Sequence, residues 1–321
     1  MTRNSALAVV AVFATLVTLG CGGSGLLGSG TAKPVLTLFR YPTSAYGIVA
    51  GLSENANVLA VNRSVPEAFM IVGESVTVIA PPPPWTSAGA GAISSDGQHW
   101  AGGLSRWTGT DYQSMVAHYT PSTGLTTPEA PGVYASVMRF LEDDGTIYGT
   151  YRRVPGDTWN YFRWKSPGPL EPIETLPRPP VFDSPQLTPD QAQIVAPNRS
   201  RNHKWSGGHV VWKDEKRPVS PVIVDALGRQ KLLDGVGTVW FVDDAGRVAL
   251  FRETRGLDDW GPWSIWIEGS EPRAFSELLV ELGFPEAAEQ EPQPQRLTGN
   301  GGHLIIQHRD QRILRLDIAW P

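Results

Sequence analysis

The amino-acid sequence predicts an all-β fold, a six-bladed β-propeller, from three observations. A polar turn flanked by apolar residues returns six times along 321 residues. Gly and Pro number 34 and 28, as a chain of many short strands requires for its turns. A β-prone segment near the N-terminal end is left over where the last repeat runs one strand short.

The repeat reads most plainly at Ile93-Ser94-Ser95-Asp96-Gly97-Gln98-His99-Trp100-Ala101-Gly102. A strand enters, the chain turns on Asp-Gly, and a second strand leaves. With the Asx residue as origin, the turns fall at Asn55, Asp96, Asp144, Asp190, Asp244 and Asn300. Their separations of 41, 48, 46, 54 and 56 residues lie in or near the range of propeller blades. Leu52, Ile93, Leu141, Leu187, Phe241 and Leu297 stand three positions earlier. Leu59, Trp100, Tyr148, Ile194, Val248 and Leu304 stand four positions later. Short polar side chains bond their own backbone and tolerate left-handed conformations, so each unit reads as a hairpin with one packed side.

A third strand ends near Ile71, Tyr119, Trp164, Trp212 and Trp266. A weaker fourth follows at 76–79, 125–126, 170–173 and 222–224. Four antiparallel strands repeated six times make a propeller. The last unit has a third strand at 313–318 and no fourth. Val35-Leu-Thr-Leu-Phe39 alternates and is expected to complete that blade, so that the chain ends clasp the ring and leave no open edge. Ser276 to Gly283 is expected to form a short helix with Ser as N-cap, and 285–295, acidic and Pro-rich, a solvated loop.

Composition narrows the class. Hydrophobic residues make up 41% and charged residues 18%, which is globular and too apolar for a disordered chain. The net charge of -5 argues against nucleic acid, which calls for clustered Lys and Arg.

The N-terminus reads as an export signal. Arg3 supplies the positive region, and 6–19 is an apolar run interrupted only by Thr15 and Thr18. That run fits a signal's h-region and falls short of the roughly 20 residues a membrane span needs. Cys21, the one cysteine of the chain, follows directly. The stretch resembles a bacterial lipoprotein signal, with Thr18 where that pattern prefers Leu. The resemblance implies cleavage before Cys21, lipidation of Cys21, and a cell-envelope address, outer-membrane or periplasm-facing, with secretion as the alternative. On this reading 1–20 is the signal, 21–33 a flexible Gly/Ser tether, and 34–321 the propeller. Gly23-Ser-Gly25-Leu-Leu-Gly28 is formally GxGxxG, but no strand precedes it in the mature chain and no helix pattern follows to hold a pyrophosphate.

The phrases Ile93-Ser-Ser-Asp-Gly97 and Tyr161-Phe-Arg-Trp164 followed by Gly168 resemble the HAF-repeat family of secreted bacterial proteins. Its His-Ala-Phe signature survives in part, as Glu67-Ala-Phe69 and Val116-Ala-His118. The resemblance implies an exported repeat propeller and brings no catalytic residues with it.

The search for chemistry yields little. The six histidines carry no HExxH spacing and there is no cysteine pair, so neither a metal site nor a cofactor is expected. No GxSxG elbow exists. The acid pairs Asp143-Asp144 and Asp243-Asp244 coincide with repeat turns and are read as turn residues, beside a third pair at Asp258-Asp259. Ser94 to Trp100 resembles the Asp-box of sialidases, with Gly and Trp one residue early. A glycan-cleaving enzyme is therefore the alternative function; it would need converging carboxylates or a Tyr-Glu pair.

The stronger functional signal is a set of loops assigned to the connection between second and third strands, at 105–112, 152–159, 198–205 and 253–260. Each contains Arg and Trp, and three contain Asp. Trp offers a flat apolar surface, Arg a donor fork and Asp an acceptor. Arg106, Trp107, Arg153, Trp159, Arg201, Trp205, Arg255 and Trp260 are thus the candidate ligand-binding residues, gathered on one face of the ring. That set suits a glycan, an acidic polymer or a protein partner. The alternative is mutual packing of each Trp on its neighbouring blade and each Arg on the nearby Asp. Asn62-Arg-Ser64 and Asn198-Arg-Ser200 match the glycosylation acceptor pattern and are read as echoes of the repeat. The sequence reading is an exported, lipid-anchored binding propeller.

Overall fold

The computed structural model describes residues 33–39, 47–63, 66–73, 75–177, 187–202, 204–254, 260–308 and 312–318. Cys21, the signal segment and the tether up to residue 32 lie outside them, as do Asp258 and Asp259. The fold is all-β with two short helices. β1 (Val35–Phe39) is followed by a first quartet, β2 (Gly47–Leu52), β3 (Val58–Arg63), β4 (Ala68–Val72) and β5 (Ser75–Ile79). The second quartet is β6 (Ser87–Ile93), β7 (Trp100–Trp107), β8 (Tyr112–Thr120) and β9 (Gly124–Thr126). The third is β10 (Ala135–Leu141), β11 (Ile147–Arg152), β12 (Asn160–Trp164) and β13 (Glu171–Ile173). The fourth is β14 (Gln191–Arg199), β15 (Trp205–Trp212), β16 (Ser220–Asp225) and β17 (Gln230–Leu232). The fifth, β18 (Thr238–Val242), β19 (Val248–Thr254), β20 (Trp260–Ile267) and β21 (Arg273–Ala274), leads into α1 (Phe275–Glu281) and α2 (Pro285–Glu289). β22 (Gln293–Leu297), β23 (His303–Gln307) and β24 (Ile313–Asp317) end the chain.

Strands within each quartet pair antiparallel in chain order. The second and third quartets are joined into one eight-stranded sheet by a single parallel bridge, Ala135 to Ser114. β1 pairs antiparallel with β24, from Val35 opposite Asp317 to Phe39 opposite Ile313, and makes the last sheet four-stranded. None of the described sheets closes on itself.

Strand alternation builds the core. Side chains along a strand point to opposite faces, so a strand with apolar residues at every position can pack on both sides. On β3, Val58 and Ala60 join Ile93, Trp100 and Leu104 of the second quartet. Their neighbours Leu59 and Val61 join Ile305 and Ile313 of the last sheet. On β19, Ala249 and Phe251 pack with Ile223 of the fourth quartet, while Val248 and Leu250 pack with Leu304 and Leu316. Ala101 and Val116 meet Phe162 and Trp164 of the third quartet in the same way. Each such sheet is therefore a layer pressed between two others.

The turn from first to second strand has a construction the Asx reading only half captures. Ser53, Ser94, Ser200, Asp243 and Thr298 each accept, on a side-chain oxygen, the backbone N–H five residues on, at Val58, His99, Trp205, Val248 and His303. The two backbones also bond across the same span. Asn55, Asp96 and Asn300 then take the hydroxyl proton of that Ser or Thr, at 2.7, 2.5 and 2.8 Å. The third turn is shorter: Glu142 N–H donates to Thr146 O, and Asp144 accepts from Thr146 N–H.

This construction corrects the fourth unit. Asp190 is not its hairpin turn. It precedes β14, bonded to the Thr188 hydroxyl at 2.7 Å and paired with Arg217 at 3.1 Å. The hairpin turns at 200–204, so the segment ending at Trp212 is a second strand and 222–224 lies in a third. Asn198 sits within β14 and donates to Val239 O at 2.8 Å, so it is no echo of Asn62. The helical segment departs too. α1 is capped by Ala274 without a side-chain bond, and the expected loop after it contains α2 and β22. Phe275, Leu278, Leu279 and Ala287 bury these helices against the fifth and last sheets.

Register slips between first and second strands in all six pairings. In five of them a single residue is extra: Ala50, Gly91, Arg139, Trp240 and Gln295. Ala50, Gly91, Trp240 and Gln295 each stand three residues before the residue that staples the turn, and Arg139 three before Glu142, which opens the shorter third turn. A bulge re-aims its side chain and tightens the local twist.

Two predictions follow from packing. Gly246 has φ +67°, and a Cβ there would lie 2.3 Å from the Trp205 ring; at Gly228, φ +80°, nothing lies within 4 Å. In urea titrations Gly228→Ala should cost about 1 kcal/mol, from backbone strain alone, and Gly246→Ala at least about 2 kcal/mol more. His118 is buried, stacked on His99 with 3.1 Å between Nε2 and the His99 Nδ1, and its pKa is pushed down to about 4 by burial and then by His99. A lowered histidine pKa means that the unfolded chain binds the proton first. Stability is therefore complete above pH 6.5 and falls as pH drops toward 4, by up to roughly 3 kcal/mol. His118→Leu should flatten that slope in urea midpoints measured between pH 8 and pH 4.5.

Candidate functional site

β7 runs from a buried Trp100 at the turn end to an exposed Trp107 at the loop end, roughly 23 Å away at strand rise. The two ends of the quartets have different chemistry.

At the loop end, the second and third quartets bring aromatic rings and charges together. Trp107 and Tyr112 flank the β7–β8 loop, are 55% and 65% exposed, and meet edge to face at 4.9 Å. Trp159, 43% exposed, lies under the Arg152 guanidinium at 5.1 Å. Arg152 also covers Tyr134 at 5.6 Å and stands 3.8 Å from Asp111. Burial and the bond to Asp111 raise the Tyr134 pKa. Arg106 lies over Trp85 at 5.4 Å and donates to Gln113 at 2.7 Å.

Of the sequence candidates, Arg106, Trp107, Arg153 and Trp159 are at this end, with Arg153 exposed to solvent. Arg152, Tyr112, Trp85, Tyr134 and Asp111 belong to the surface and were not singled out. Strand alternation was the signal for Arg152: Tyr151 is buried, so its neighbour faces out. Arg255 and the Trp260 side chain lie outside the described residues. Within the fifth quartet Arg252 pairs with Trp263 instead, at 5.7 Å. Arg106, Arg152 and Arg252 lie over rings, Trp85, Trp159 and Trp263, rather than pairing each with an Asp of its own loop as the mutual-packing alternative expects.

Arg201 and Trp205 are at the other end, because their segment is a first-to-second-strand turn. Trp205 is half-buried beneath Gly246. Arg201 donates to Ile93 O at 2.9 Å and Ser95 Oγ at 3.3 Å, and pairs with Glu54 at 3.4 Å. Burial lowers its pKa, opposed by Glu54, Asp143, Asp244 and Asp96. Around it the turns bond one another. Glu54 N–H donates to Ser95 O at 2.9 Å, and Ser95 N–H to Asp143 Oδ1 at 2.6 Å. Asn202 donates to both Asp244 oxygens, Asp244 N–H to Gly299 O, and Gly299 and Asn300 N–H to the Glu54 carboxylate. Both described acid pairs are thereby engaged in turns, as the sequence reading held.

Above this layer of turns lies a cavity of about 280 Å³ lined by all six first strands, from Ala50–Leu52 of β2 round to Arg296 and Leu297 of β22. Arg139, Arg199, Arg201 and Arg296 line it, with Glu142 and Asp143. A wider depression of about 580 Å³, lined by residues of β6, β7, β8 and β10, shares Gly91 and Met138 with it.

No protein-family description matches the chain, and no curated protein matches it. Among solved structures, a TolB protein from Agrobacterium tumefaciens superposes with TM-score 0.41 at 13% identity, over 77% of this chain and 89% of that one. An inactive virginiamycin B lyase from Staphylococcus aureus gives 0.40 at 10%, over 89% and 100%. The β-propeller domain of the trilobed protease from Pyrococcus furiosus gives 0.37 at 12%, over 82% and 79%.

The two ends should respond oppositely to mutation. Arg201→Gln leaves the Glu54 charge with backbone donors alone and removes the bonds to Ile93 O and Ser95, and is expected to cost about 2 kcal/mol, whereas Trp107→Ala should stay within about 0.5 kcal/mol. Urea unfolding of both variants, with Glu54→Gln and the double mutant to isolate the pair, gives the comparison.

Proposed function

We propose that the chain is a six-bladed propeller clasped by its N-terminal strand, and that it serves as an exported, lipid-anchored binding module for a glycan. The ring is supported by the six first strands that share one cavity, by the turn-to-turn hydrogen bonds, and by the pairing of β1 with β24. The anchor rests on Cys21 at the end of the export signal.

The observation that carries the binding reading is the exposure of Trp107, Tyr112 and Trp159 at one end of two adjacent quartets, beside Asp111 and Arg152. Exposed rings interleaved with fixed donors and acceptors match a sugar, whose faces alternate C–H and O–H groups. A protein hot spot would want a broader apolar centre sealed from water. Arg152 and Arg106 hold the rings in place by lying over their faces, which lowers the ordering cost of capture.

The full-length chain in detergent should be retained by some neutral or uronic-acid oligosaccharides on a glycan array. Trp107→Ala combined with Trp159→Ala should weaken that retention at least about tenfold with an unchanged melting temperature. Retention unaffected by both substitutions, or capture of a protein and no glycan, would overturn the reading.

A further inference from the structure

The arginine-lined cavity is separate from the aromatic surface, and no linear motif marks it. We propose that it is a binding site for one small oxyanion, the carboxylate or phosphate group of a small solute. The geometry is specific. Arg139 comes from the bulge of β10, Arg199 from the end of β14, and Arg296 from β22, so three strands distant in sequence each contribute an arginine to the lining of one space.

Arg296 gives its hydrogen bonds to neutral acceptors among the described residues, Ala50 O at 3.1 Å and Gln295 O at 2.7 Å. Burial pushes its pKa down to about 10, with no acid acting in the other direction. Burial and the charge of Arg139 lower Arg199 in the same way. Arg139, Arg199 and Arg296 outnumber the carboxylates Glu142 and Asp143 of the same lining, so one bound anion balances the charge, and a planar guanidinium grips carboxylate or phosphate with two parallel bonds. Arg201, the fourth arginine, is already engaged by Glu54 and closes the turn end. The Gly- and Ser-lined depression borders the cavity, sharing Gly91 and Met138 with it.

The test is calorimetric titration of the full-length chain in detergent with inorganic phosphate and with citrate, at constant ionic strength set by chloride. Saturable binding of at least one probe is expected, and which one binds identifies the group. Arg139→Gln, a substitution of an exposed side chain, should weaken it about tenfold or more. Arg296→Lys, which keeps the charge and loses the fork, should weaken it as well. Arg163→Gln removes an exposed arginine of β12 and should leave it unchanged. Absence of saturable binding for both probes at millimolar concentration overturns the proposal, and so does equal weakening by Arg139→Gln and Arg163→Gln. Neither result bears on glycan retention by Trp107 and Trp159.

Discussion

One hydrogen bond sets the geometry on which the rest of this fold is built: a side-chain oxygen accepting the backbone N–H five residues ahead. It is made by Ser53, Ser94, Ser200, Asp243 and Thr298. A buried N–H without a partner is costly, and the first-to-second-strand turn would leave one at each of these positions. Satisfying it from inside the turn fixes the loop in a single shape. The next residue then bonds to another quartet: Glu54, Ser95 and Asp244 to the one that follows, Gly299 to Glu54 of the first, and Arg201 to Ile93 and Ser95 of the second and Glu54 of the first. Asp243 performs the task with a buried carboxyl whose pKa is raised by burial in spite of its backbone donors. Where Ser or Thr suffices elsewhere, a charged group has been placed at some cost.

The turn also decides how the quartets pack. Val58, His99 and Trp205, the residues whose N–H groups are bound, lie directly beneath Gly97, Gly145 and Gly246 of the following quartet. Those glycines have φ of +76°, +82° and +67°, a region other residues enter only with strain. Local conformation and contact between sheets therefore make the same demand of one residue. With apolar side chains on both faces of β3, β7 and β19, these contacts hold successive sheets in line.

Much of this was legible in the chain. Asp-Gly and Asn-Gly marked turns, and period-two apolar residues marked strands, because both effects act within a few residues. The fourth unit misled for a physical reason. Ser200-Arg-Asn-His-Lys has no Asx-Gly pair, since Ser200 alone staples it, while Asp190 makes a real Asx-type bond with Thr188 outside the hairpin. One displaced origin carried Arg201 and Trp205 to the wrong end. The aromatic surface was half visible: Trp107 and Trp159 come from the expected loops, but Tyr134 and Trp85 arrive from other segments by folding. The cavity was invisible, because each arginine is contributed by a different strand at a different repeat position and no linear spacing encodes it.

The two ends of the molecule follow from the same asymmetry. Turns that bond one another and trap Arg201 close one end, and the loops of the second and third quartets leave rings exposed at the other. Between them, arginine is an expensive filler. Replacing buried charge by apolar side chains of similar volume is often stabilising, and the long stem of arginine would fill this cavity no better than leucine or methionine. Gly91, Met138, Phe140 and Leu141 show that apolar and small residues are accommodated along the same wall. A guanidinium at Arg296 that spends its bonds on two carbonyls, in a cavity it shares with Arg139 and Arg199, is thus poorly explained by packing. It is well explained by a negative charge that comes and goes.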